Sequence, residues 1–211
     1  MKNYNLFTLF ISAALLLASC SDIIDLGNQK ETPLDEPKVN TDVIQRLEVG
    51  NYFKYKVQAW IQERDKDTVL YHDFEILRDT VINGTRWYTS DTNGIYWMGN
   101  KPDGLYSMEI RDGKVNKVSL EFKYPAKVGD TFYADTLTWT VSSTDTAITV
   151  GAGKFRCYHY SGVLRDFKGY KEHRFYCPGI GRIKQEIYWY LVRKEKIAST
   201  ELIEYKIKNG N

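Results

Sequence analysis

Phe53-Lys54-Tyr55-Lys56-Val57-Gln58-Ala59-Trp60-Ile61-Gln62 carries the period that decides the fold. The odd positions, Phe53, Tyr55, Val57, Ala59 and Ile61, are apolar. The even positions Lys54, Lys56, Gln58 and Gln62 are polar, with Trp60 the exception among them. Side chains of a strand alternate between its two faces, so this pattern predicts a half-buried β-strand with Trp60 on the wetter side. Val118, Leu120, Phe122 and Tyr124 alternate in the same way with Lys117, Ser119, Glu121 and Lys123. Further strand-like runs lie near 68–78, 85–91, 94–98, 104–110, 136–142, 145–150, 153–164, 169–177, 182–192 and 197–207.

Turn residues separate these runs. Asn83-Gly84 suits a two-residue hairpin, because both turn positions need positive φ, and Asn93-Gly94, Asp103-Gly104 and Asp112-Gly113 read similarly. A short helix over Thr41 to Leu47 is the one helical segment the pattern allows. Tyr188-Trp189-Tyr190 and Tyr96-Trp97 put rings on both faces of their strands, which a flat sheet with one wet face would leave exposed. The expected fold is all-β: a strongly curved antiparallel meander, a partly open barrel or a sandwich. It occupies residues 42–211 as a single domain, with no internal repeat.

The N-terminus differs in kind. Lys2 precedes an apolar stretch from Leu6 to Ala18, too short for a bilayer core of about 30 Å. The segment ends Leu17-Ala18-Ser19-Cys20, which resembles the bacterial lipobox. The resemblance implies a lipoprotein signal peptide over residues 1–19, diacylation of the Cys20 thiol, cleavage before it and acylation of the new amino terminus. Cys20 would then be the lipid anchor, holding palmitate-type chains in the membrane. Residues 20–41 carry Pro33, Pro37 and polar side chains and almost no aromatics, the composition of a flexible tether. Ser21 after the cysteine, by resemblance to Gram-negative lipoproteins, implies the outer membrane. Asp22 and Asp25 leave both the periplasmic face and the cell surface open.

Three phrases of the C-terminal half strengthen the resemblance to Bacteroidota-type lipoproteins, a family without an assigned activity. They are Tyr124-Pro125-Ala126-Lys127-Val128-Gly129-Asp130-Thr131-Phe132, Thr149-Val150-Gly151-Ala152-Gly153-Lys154-Phe155-Arg156-Cys157 and Phe175-Tyr176-Cys177-Pro178-Gly179-Ile180-Gly181-Arg182-Ile183-Lys184. The resemblance implies a β-rich cell-envelope domain and no reaction. Gly151-Ala152-Gly153 and Gly179-Ile180-Gly181 are not dinucleotide fingerprints, since neither completes the glycine pattern and strand-like sequence follows each.

Apart from Cys20, the cysteines are Cys157 and Cys177. Asp166-Phe167-Lys168-Gly169 reads as a three-residue turn between them, and a hairpin centred on Phe167 pairs residues whose numbers sum to 334. Cys157 then opposes Cys177, and an oxidising compartment favours a cross-strand disulfide. His159 and His173 share that strand face. Cys157, His159, His173 and Cys177 could together hold zinc, but the spacing is not that of a finger, and Phe155 and Phe175 favour an apolar core. The opposite face places Tyr158 opposite Tyr176 and Tyr160 opposite Arg174.

With His72, His159 and His173 as its only histidines, the chain carries no nucleophile elbow, zincin motif, phosphate loop or calcium loop, so neither enzyme activity nor a cofactor is expected. The 29 Lys+Arg against 27 Asp+Glu become 28 against 27 once Lys2 leaves with the signal, which argues against a nucleic-acid partner. The richest clue is aromatic, with 16 Tyr and 5 Trp. Trp60, Tyr158, Tyr160, Arg174 and Tyr176 are the candidate ligand-binding residues, for a glycan, peptide or envelope protein. The other reading is a lipid or lipoprotein carrier whose curled sheet encloses an apolar cavity.

Overall fold

The computed structural model describes residues 42–61, 66–134, 136–165, 167–191 and 195–208. The signal segment, Cys20 and the tether lie outside them. The described residues belong to one unit, Lys38–Asn211, and contain no helix.

Among the described residues thirteen strands follow one another: β1 (Tyr52–Ile61), β2 (Lys66–Glu75), β3 (Arg78–Ile82), β4 (Thr85–Thr89), β5 (Tyr96–Lys101), β6 (Gly104–Arg111), β7 (Lys114–Lys123), β8 (Thr131–Ala134), β9 (Leu137–Val150), β10 (Gly153–Leu164), β11 (Phe167–Cys177), β12 (Gly181–Trp189) and β13 (Lys196–Lys206). They form two antiparallel sheets. The larger has the order β2-β1-β13-β12-β11-β10-β9-β8, and the smaller is the meander β3-β4-β5-β6-β7. The chain thus starts the large sheet, leaves it to build the small one, and returns to complete it. Ile76 makes the crossing. Its side chain is buried, its N–H donates to Asn51 O, and its carbonyl accepts from Gly50 N.

The alternation of β1 is as the sequence predicts, and so are two of the turns. Asn83 (φ 51°) and Gly84 (φ 76°) close β3–β4, and Asp112 (φ 50°) and Gly113 (φ 71°) close β6–β7, all four in the left-handed region. Asn93-Gly94 is different. Asp91 accepts from Asn93 N and Ile95 N through its carboxylate and from Gly94 N through its carbonyl, which makes a longer loop. At Asp103-Gly104 the glycine itself pairs with Lys101, so Pro102 and Asp103 are the turn.

Four other expectations change. Residues 42–47 form a turn and an isolated bridge, not a helix. Gln45 bridges to Ile180, Gly179 N donates to Val43 O, and Arg46 N donates to Gly179 O. Ile44 and Leu47 are both buried, so tertiary pairing wins over local helix preference. The runs near 136–142 and 145–150 are one strand, β9. Its polar middle, Ser142 to Thr146, lies beyond the four residues that pair with β8. The run near 68–78 divides into β2 and β3 at the Ile76 crossing, and β8 was hidden by its brevity.

One core lies between the sheets. Leu105 and Phe122 of the small sheet pack with Trp139, Val141, Tyr160 and Tyr176 of the large one. A second core gathers Phe53, Tyr55, Phe155, Cys157, Phe175, Ile183 and Leu202. It forms because the large sheet curls. Ala152 N, in the β9–β10 turn, donates to Leu202 O of β13, although β11 and β12 separate β10 from β13 in the ladder. Bulges in the β1–β13, β9–β10 and β11–β12 pairings supply the bend. The architecture is two packed antiparallel sheets, one strongly curved and not closed into a barrel.

Candidate functional site

The β10–β11 hairpin organises the site, and its register is the predicted one. Tyr158 pairs with Tyr176, His159 with Phe175, Tyr160 with Arg174 and Ser161 with His173. The turn is tighter than expected: Leu164 pairs with Phe167, and a bulge that includes Gly169 absorbs the difference.

From Tyr158 toward the turn, the even-numbered face of the hairpin is interior; Lys154 and Arg156 are exposed. Tyr160 is 0% exposed and Tyr176 6%. The rings of Trp139, Tyr160 and Tyr176 stand 5.5, 5.0 and 4.3 Å from that of Phe122. Tyr160 OH donates to Lys123 O of the small sheet. Arg174 places its guanidinium 4.7 Å from the Trp139 ring and 5.3 Å from Phe122, and it pairs with buried Glu172. Tyr170 OH and Gln185 Nε2 also donate to Glu172. Burial opposes the Arg174 cation, yet the Glu172 carboxylate holds its pKa above the usual arginine range. Burial raises the Tyr176 phenol to about 12, with Arg182 and Arg174 partly opposing it. Tyr160, Arg174 and Tyr176 are therefore core residues, not an exposed stacking surface. Tyr158 is half-buried against Tyr124 at the rim of the same core. Parity alone placed these rings together, and the small sheet that covers them is distant in sequence.

The odd-numbered face has two parts. Near the β9–β10 turn it is core, and both cysteines lie there. Cys157 is fully buried, and burial first, then Cys177, pushes its thiol far above the usual range. Cys177 Sγ lies 3.8 Å from Pro178 O as a donor. No disulfide joins them in this structure, which corrects the expectation of a cross-strand bridge. The zinc arrangement is not assembled either. His159 Nε2 and His173 Nδ1 are hydrogen-bonded to each other at 2.8 Å, and no group of three or more metal-ligating side chains occurs among the described residues. Burial, then His173 and Lys171, lower the His159 pKa to about 4; burial and Lys171 also lower that of His173.

Away from that core the same face is partly open, with Ser199 buried in it. Residues paired directly across antiparallel strands point to one side. Two rows follow from the ladders. His173, Glu186, Ser199 and Gln58 form one, and Lys171, Tyr188 and Lys196 the next. Trp60, two residues beyond Gln58, continues the face, half-buried beside a pocket of about 130 Å³ that Gln58, Asp67, Val69 and Lys196 also line. Tyr190 stacks on Tyr188 at 6.0 Å and is 47% exposed. Glu186 accepts from Lys184 at 3.3 Å and Lys196 at 3.1 Å, and Lys184 also reaches Glu201 at 3.2 Å. This is a curved sheet face with aromatic rings and fixed charges side by side. It can stack flat apolar faces and hydrogen-bond polar edges. Of the binding candidates, it keeps Trp60. Tyr188 and Tyr190 belong with it, and the Tyr188-Trp189-Tyr190 alternation was the signal for them.

A larger pocket, about 340 Å³, opens at the turn end of β8–β11 between Tyr133, Thr136, Leu164, Arg165 and Phe167. Arg165 lies 5.3 Å from the Tyr133 ring.

Neither a protein-family model nor a curated protein matches the chain. Among solved structures it is similar to a proposed lipoprotein of Parabacteroides distasonis ATCC 8503, at a TM-score of 0.44 and 10% identity over 79% of this chain and 100% of that one. It is also similar to a proposed exported protein with a YmcC-like fold from Bacteroides fragilis NCTC 9343, at 0.40 and 12% over 76% of this chain and 97% of the other.

Proposed function

We propose that the chain is a lipid-anchored, non-catalytic binding module of the bacterial cell envelope, held at the outer membrane through Cys20. The anchor rests on Leu17-Ala18-Ser19-Cys20 and the outer-membrane address on Ser21. The binding role rests on one observation: Trp60, Tyr188 and Tyr190 share a partly open, charged sheet face, while Tyr160, Tyr170 and Tyr176 of the same sheet fill the core. A ring left half-exposed among fixed ion pairs is poor packing but good recognition chemistry, since its face is apolar and its surroundings polar. The ligand is a glycan, a peptide or a segment of an envelope protein. The absence of any catalytic motif in the sequence supports a role without chemistry.

The carrier reading has less to support it. A lipid cargo calls for an apolar cavity of roughly 300–1,000 Å³. The space between the sheets is occupied by the rings around Phe122, and the 340 Å³ pocket is open and carries Arg165 and Thr136.

The binding role is tested by screening glycans and peptides against the wild-type chain and Trp60→Ala. Loss of at least tenfold in affinity for a retained ligand is expected, and an unchanged affinity contradicts the role. The anchor is tested separately by Cys20→Ala, which is expected to abolish labelling by a palmitate analogue and release the protein from membranes.

A further inference from the structure

We propose that His159 and His173 form a two-imidazole site for a divalent transition-metal ion, with Cu²⁺ preferred. The site is independent of the binding role proposed above. The two residues are diagonal neighbours on β10 and β11: His159 opposes Phe175, and His173 opposes Ser161. Their facing nitrogens, Nε2 of His159 and Nδ1 of His173, are 2.8 Å apart. Two metal–nitrogen bonds of about 2.0–2.1 Å meeting at a right angle separate their nitrogens by about 2.9 Å, and a tetrahedral angle separates them by about 3.3 Å. The observed spacing fits the right angle, which is the cis angle of tetragonal Cu²⁺ or Ni²⁺ and not the angle zinc adopts.

The rings are held for this task. His159 stacks on Phe175 at 4.5 Å with an interplanar angle of 15°, and the His173 ring meets Tyr188 edge-on at 5.9 Å. Little side-chain freedom is left to lose on binding. The metal replaces the hydrogen bond between the rings. The proton now shared at the contact moves through solvent to the outer nitrogen of the ring that donated it, both imidazoles stay neutral, and each gives one lone pair. Glu186, opposite His173, is the nearest carboxylate in register; one of its oxygens accepts from both Lys184 and Lys196, and the other accepts from Tyr188 at 3.4 Å. Lys171, on the His173 face, opposes a cation and Glu186 favours it. Water fills the remaining positions. Cys157 takes no part, since it is sealed in the core.

The test is titration of the full chain in detergent with CuCl₂, followed by electron paramagnetic resonance. The site predicts one Cu²⁺ retained per chain with a tetragonal spectrum that shows two imidazole nitrogens. His159→Gln and His173→Gln should each weaken retention at least tenfold and remove one nitrogen from the pattern, while His72→Gln changes neither. Cu²⁺ should raise the melting temperature of the wild type but of neither ring variant. The wild-type nitrogen count is read without any variant, so poor folding of a variant does not blunt the test. A wild-type spectrum without paired imidazoles, or one that both His→Gln variants leave unchanged, overturns the site.

Discussion

The two faces of the β10–β11 hairpin are built from the same kinds of residue and end in opposite environments. On one face Tyr160, Tyr176 and Arg174 are sealed against Phe122 and Trp139. On the other, His159 and His173 run from a closed core toward a half-open row with Tyr188 and Trp60. Aromatic content does not separate them. What separates them is the partner. The small sheet covers the first face around Tyr160 and Tyr176 and leaves Lys154 and Arg156 exposed, whereas the second is covered where the β9–β10 turn curls back to β13. A tyrosine on this sheet is structural or available for binding according to which distant segment lies over it.

The comparison breaks most visibly on the covered face. Trp139 is 1% exposed, and Trp139→Ala should cost about 3–5 kcal/mol in chemical denaturation, from lost burial and the cavity left behind. A cost below about 1 kcal/mol would mean that the sheets do not pack as described. A smaller effect is expected at Gly162, across from Trp139. A Cβ there would come within 2.8 Å of the indole ring, so Gly162→Ala should cost about 1–3 kcal/mol by the same measurement.

The other face should respond to pH. His159 and His173 have lowered pKa values when folded, so the unfolded chain binds more protons as pH falls. Their contribution to stability is complete above the ordinary value of 6.5 and is lost as pH falls toward about 4. In metal-free buffer the melting temperature should decline over that window, and His159→Gln should flatten the decline. An identical pH dependence in wild type and variant would show that the pair does not carry it.

Much of this comparison was legible from residue numbers. Alternation gave β1, a sum rule gave the pairing of Tyr158 with Tyr176, and Asn83-Gly84 and Asp112-Gly113 gave their turns, because period and positive φ are local properties. The rest was not local. Residues 42–47 are not helical because Val43, Gln45 and Arg46 pair with the backbone of Gly179 and Ile180. Ser143 and Thr144 read as a break between two runs because this stretch of β9 is polar and lies beyond the reach of β8. Tyr160 and Tyr176 looked available because the strand that covers them, β7, lies far earlier in the chain. Alternation places Trp60 on the polar face of β1, but its neighbours Tyr188 and Tyr190 follow only from the order of β1, β13 and β12.

The most direct test of the division between faces is a comparison of three variants against whichever glycan or peptide the wild-type chain retains. Trp60→Ala and Tyr188→Ala alter the partly open face, and Tyr96→Ala alters a more exposed ring on the small sheet. All three should fold with stability within about 1 kcal/mol of the wild type, because none removes a fully buried side chain. The predicted result is a loss of at least tenfold in affinity for the first two and none for the third. Equal affinity in all three, or a loss confined to Tyr96→Ala, would contradict a binding role for the open face.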